Sequence, residues 1–136
     1  MDMWTFLACP APGGGRPVTR FIQSLGPQAE NDLNAILDGL RVSDRKFWTR
    51  PHFAWLVGKK YKGLGEVRFD GEDKTYRLFG FEGPLPLQFT LMLGYEKKRD
   101  LKHEMDEAVK RRKFARENTD VLYTFTFEEV SPQETD

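Results

Sequence analysis

Residues 63–98 read GLGEVRFDGEDKTYRLFGFEGPLPLQFTLMLGYEKK, and their pattern decides the fold. Runs rich in Val, Phe, Tyr, Thr and Leu, broken by Gly, Pro and Asp clusters, predict three antiparallel strands in a meander. The breaks fall at residues 70–74 and at Gly83-Pro84-Leu85-Pro86, where prolines cannot donate to a ladder. In the third strand Leu87, Phe89, Leu91 and Leu93 alternate with Gln88, Thr90 and Met92, which predicts one greasy face. In the first, Val67 and Phe69 point one way and send Arg68 to the opposite face with Glu66 and Asp70. In the second, Arg77 shares a face with Phe79 and Phe81. An arginine in such a surface needs a partner for its desolvated charge. Glu66 or Asp70 on the neighbouring strand can supply it.

Upstream, residues 3–8 suit a short first strand that runs into the flexible turn Pro10-Ala11-Pro12-Gly13-Gly14-Gly15. A helix is expected from Pro17, with Val18, Phe21, Ile22 and Leu25 at helical spacing and Gly26 placed to end it. Pro27 opens a second helix whose stripe is Ala29, Leu33, Ile36, Leu37 and Leu40. Residues 41–63 read as a loop with a short helical turn. Downstream, a third helix spans residues 101–116, with Leu101, Met105, Ala108 and Val109 inward and cations in its last turns, where they suit the dipole. Alternation over residues 121–127 suggests a final strand.

With 136 residues the chain is long enough to bury a core as one domain. We expect that domain over residues 1–130, with a disordered acidic tail at 131–136. A single cysteine excludes an internal disulfide framework. No stretch approaches a membrane span and no secretory leader is evident, so a cytoplasmic protein is expected, with no membrane partner. Net charge is zero, yet residues 41–63 carry +6 and 95–116 carry +4, offset mainly by −6 over 117–136. A neutral chain of this kind can still present a local basic site.

The chemistry-bearing residues narrow the choices. His52, His103 and Cys9 have no zinc-ligand spacing, and no cofactor is expected. Gly13-Gly14-Gly15 lacks the lysine of a phosphate loop, and no Gly-x-Ser-x-Gly elbow supports a serine nucleophile. Cys9 beside an apolar strand suits a small buried hydrophobe. What remains is cations interleaved with aromatics: Lys59, Lys60, Tyr61 and Lys62 before the meander, Arg68, Tyr76 and Arg77 inside it, Tyr95, Lys97 and Lys98 at its end. Such a set can hold phosphates and stack unpaired bases. The lysines also suit a plainer duty, blunting sheet edges.

Four segments together resemble the HigB-like, phage-derived branch of the RelE/ParE toxin superfamily, over residues 14–112. They are GGRPVTRFIQSL (14–25), FWTRPHFAWLVGKKYKGLGEVRF (47–69), TYRLFGF (75–81) and LMLGYEKKRD (91–100). The resemblance implies a small α+β domain, an N-terminal strand and two helices packed on an antiparallel sheet, with a C-terminal helix, and an RNA-binding concavity on the other face. It also implies a type II toxin, a ribosome-dependent endoribonuclease that cuts mRNA without a metal and is silenced by a cognate antitoxin of helix-turn-helix type. DNA would be met only through that antitoxin. In such chemistry the ribose 2′-OH attacks the adjacent phosphate, so the site needs cations for the phosphorane and an acid for the departing oxygen. Carried over by position, Arg68 and Arg77 would hold the scissile phosphate. Lys59, Lys60 and Lys62 would contact the backbone, with Lys60 a candidate base. Tyr95 with Lys97 or Lys98 would stack or donate a proton, and Tyr76 and Arg99 would add RNA contacts. The alternative is a non-catalytic ParE-like or phage-encoded protein-binding module, such as a topoisomerase inhibitor.

Overall fold

The computed structural model describes residues 3–98 and 100–127. The proposed tail at 131–136 and the candidate Arg99 lie outside the described residues. Over the described residues the chain forms an α+β domain with three helices and one six-stranded, mostly antiparallel sheet. In chain order the strands are β1 (Thr5–Ala8), β2 (Phe53–Trp55), β3 (Leu64–Gly71), β4 (Lys74–Glu82), β5 (Gln88–Glu96) and β6 (Tyr123–Thr124), and the helices are α1 (Pro17–Gln23), α2 (Pro27–Arg41) and α3 (Lys102–Glu117). Across the sheet the order is β2-β3-β4-β5-β1-β6. β3, β4 and β5 are the expected meander, and β1 lies parallel to β5, with Phe6 opposite Phe89.

Both proline-opened helices form where the apolar spacing requires, and Ala29, Leu33, Ile36, Leu37 and Leu40 are all buried. They cover one face of the sheet, packing on Val67, Phe69, Leu78, Phe89 and Leu91. Trp48 centres an aromatic cluster there, with ring centroids 4.4 Å from Trp4, 5.1 Å from Phe53 and 5.3 Å from Phe89. Its indole N–H donates to the Leu40 carbonyl at 3.0 Å, so the burial leaves no orphan donor. Gly94 is needed here, since a Cβ would sit 2.3 Å from the Phe21 ring of α1.

Five expectations are corrected. Residues 41–63 are not only loop, because Phe53–Trp55 form an edge strand on β3, flanked by 3₁₀ turns at Arg45–Phe47 and Lys59–Tyr61. The final strand shrinks to Tyr123–Thr124, since Thr119–Val121 is a 3₁₀ turn. The greasy face is not single. An irregularity in the β4–β5 register, where Phe79 pairs with Leu93 but Gly80 with Leu91, swings Leu93 away from Phe89 and Leu91. Leu93 joins Met92, Leu64, Phe79 and Phe81 on the opposite face, under Ala108 and Ala115 of α3. The same face, expected to be the open one, is therefore roofed by α3 over part of its length. Leu87 lies outside the strand with φ of 61° and is exposed.

The β3–β4 turn carries two consecutive non-glycine residues at positive φ, Glu72 at 50° and Asp73 at 61°. That conformation costs energy in both. It is offset because the Glu72 carboxylate accepts hydrogen bonds from the backbone N–H groups of Gln28 (2.9 Å) and Ala29 (3.1 Å), capping α2 from another part of the chain. Among the described residues no helix is long and apolar enough to cross a membrane.

Candidate functional site

Where α3 stops covering the sheet, a concavity of about 310 Å³ opens beside its first turn. Its floor comes from β3 and β4. Arg68 and Arg77 stand directly opposite one another in the register, on the face that alternation assigned to them. Two like charges so placed repel. Glu66, two residues before Arg68 and on the same face, resolves the conflict with one oxygen. Its Oε1 accepts from Arg68 Nε at 2.8 Å and from Arg68 Nη2, and it lies 3.7 Å from Arg77 Nε. Glu66 is 5% exposed and Arg77 8% exposed, so the ion pair expected for Arg77 forms in a setting where water screens it weakly. Burial pulls the Arg77 guanidinium below its ordinary range, and Glu66 pushes back.

Arg50, Lys97 and Asp100 also line the concavity, so among the described residues four cations and two carboxylates surround the opening, a formal +2. Apolar lining comes from Ala54, Leu56 and Val57, on and after β2, and from Leu101 and Met105 by the start of α3. The arrangement is an anion seat with apolar sides. One guanidinium can be offered to a phosphate while Glu66 holds its neighbour in place, and Glu66 brings a carboxylate within the same floor for proton transfer.

The other sequence candidates scatter. Lys60 is tied 2.7 Å from Asp106 of α3, and the Tyr61 hydroxyl donates to the same oxygen at 2.7 Å. These hydrogen bonds raise Lys60 and Tyr61 and hold Asp106 below the usual carboxylate range. Arg112 donates to the Lys60 carbonyl at 2.8 Å and also to that of Lys62, so the loop's backbone is clamped to α3. Lys59, Lys62 and Lys98 are exposed, and none of the three lines the concavity. Tyr95 pairs with Arg77 in the register but lies half-buried near α3, where burial and then Glu104 and Glu107 raise its hydroxyl. It too is missing from the concavity wall.

Tyr76 is a correction. It is 8% exposed on the helix-covered face, stacked on Phe69 at 5.2 Å and edge-on to Phe21 at 6.1 Å, so its ring packs the core and is closed to a base. Cys9 is buried, and burial pushes its thiol up to about 11, which suits the packing role expected of it. Sequence reasoning weighed Glu66 only as an ion-pair partner and did not single out Arg50. The available signal for Glu66 was the i, i+2 spacing to Arg68, which puts both side chains on one face of a strand.

Comparison of the chain with protein-family models, with curated proteins and with solved structures gave no match.

Proposed function

We propose that this protein is a metal-free endoribonuclease, the toxin of a type II toxin–antitoxin pair, acting on messenger RNA presented by the ribosome in the cytoplasm. The observation that carries the reading is the pairing of Arg68 with Arg77 across β3 and β4 around the shared Glu66 oxygen. Support also comes from the coarse fold class, an α+β domain with helices on a mostly antiparallel sheet, which is the class that the RelE/ParE resemblance implies.

The chemistry follows from the floor of the concavity. The Glu66 carboxylate takes the proton of the attacking 2′-OH, and its hold on the two arginines passes to the phosphate as negative charge builds there. Arg68 and Arg77 meet that charge with fixed donors, an electrostatic contribution of about 10²–10³ in rate for one well-placed group. Lys97, at the opening just past the end of β5, delivers a proton to the departing 5′ oxygen. Lys60, engaged with Asp106, serves the fold of its loop in this scheme rather than proton transfer.

Induced expression with primer extension on cellular mRNA tests the reading. Growth arrest and new 5′ ends are expected. Full-length, folded protein that neither slows growth nor yields new ends would overturn it.

A further inference from the structure

The concavity has room for more than a phosphate. At about 310 Å³ it sits near the lower end of ligand-sized pockets, room for one nucleotide unit rather than two stacked bases. Its lining is aliphatic at Leu56 and Val57, which follow β2, and at Leu101 and Met105 by the start of α3. Val57 is 90% exposed, a branched apolar side chain set at the mouth of a charged site with nothing covering it. The aromatic at this wall is already engaged. Trp55 lies nearly parallel to Trp48, at 6.1 Å and 11°, and carries the Arg45 guanidinium 4.2 Å from its ring centre. Arg45 is in turn fixed by Glu82 at 2.9 Å. A base entering here therefore meets methyl and thioether groups, and a polarizable methionine suits an aromatic face.

We propose that the concavity is a one-nucleotide subsite for a nucleoside 3′-monophosphate. The phosphate is seated by Arg68 and Arg77, and the base is held between Val57 and Met105. The inference rests on the endoribonuclease reading for the choice of the 3′ ester, because 2′-OH attack leaves a 2′,3′-cyclic phosphate on the upstream fragment and water opens that ring to the 3′-monophosphate. The seat itself is argued from the walls and the charge alone.

The full-length protein, without ribosomes, is titrated calorimetrically with the four 3′-mononucleotides, their 5′ isomers and inorganic phosphate. A 3′-mononucleotide should bind about tenfold or more tighter than inorganic phosphate, because the walls add apolar contact that phosphate cannot use. Val57→Ser, at an exposed position, should leave the melting temperature unchanged. It should weaken the nucleotide about threefold to tenfold and leave phosphate binding as it was. Nucleotide affinity equal to that of phosphate, or indifferent to Val57→Ser, overturns the subsite. The two readings fail separately. Nucleotide binding with intact cellular mRNA removes the nuclease and keeps the subsite, whereas cleaved mRNA with no preference for nucleotide over phosphate does the reverse.

Discussion

The two faces of the central sheet are made from the same strands and put to different uses. On the α1–α2 face, Phe69, Tyr76, Leu78 and Phe89 meet rings and branched chains from both helices and the Trp48 cluster, and charge is kept out. On the α3 face the apolar layer is thinner, with Leu64, Phe79, Phe81 and Met92 under two alanines of α3. Where that layer ends, the alternating positions carry Glu66, Arg68 and Arg77 instead. A half-covered face thus keeps charged groups in a poorly screened but reachable place, while the fully covered face supplies the stability that tolerates them.

The sharpest way to break the comparison is on the covered face. Trp48→Ala should cost about 3–5 kcal/mol of stability, since the ring is fully buried and touches several others. Thermal or urea unfolding measures it. A loss below about 1 kcal/mol would mean that this face is not the stabilising one.

On the other face Glu66→Gln keeps the shape and removes the proton acceptor. Cleavage by the folded variant should slow by about 10²-fold or more, and stability should fall by about 3 kcal/mol or more because Arg68 and Arg77 lose their buried counter-charge. An unchanged rate would return Glu66 to a purely positioning duty.

These two sites also mark how much of the fold and of the site is legible in the sequence alone. The α2 stripe was legible because 15 residues of regular spacing leave one possible buried side. The face of Arg68 and Arg77 was legible for the same reason, through period two. Tyr76 could have been excluded from the site by that rule, as the neighbour of Arg77 must point the other way. β2 was not legible, because three residues hold barely one repeat of the two-residue period. Nor was the register shift near Gly80, which depends on how two strands meet and moves Leu93 across the sheet. The roof that α3 lays over Phe79 and Phe81 is likewise a tertiary fact.

A smaller effect is expected at the β3–β4 turn. Glu72→Ala removes the cap on α2 while leaving the positive φ in place, and should cost about 1 kcal/mol in thermal unfolding. No loss would show that the α2 N-terminus is satisfied by solvent.

The smallest effect concerns the latch between α3 and the Lys59–Tyr61 turn. Asp106 has its folded-state pKa lowered by Lys60 and Tyr61, so its contribution is present above the ordinary value of 3.8 and fades as pH falls through the lowered folded value. Asp106→Asn should therefore be slightly less stable than wild type at neutral pH. The two melting curves should converge in acid, and a gap that widens on acidification would contradict the assignment.

The account stands on Arg68 and Arg77 acting on a phosphate, and the most direct measurement is cleavage of a defined message on programmed ribosomes by wild-type protein and by Arg68→Ala. New ends from the wild type, formed about 10²–10³-fold more slowly by a variant that remains folded, are predicted. Equal cleavage by the two, or none by folded wild type, would contradict the account.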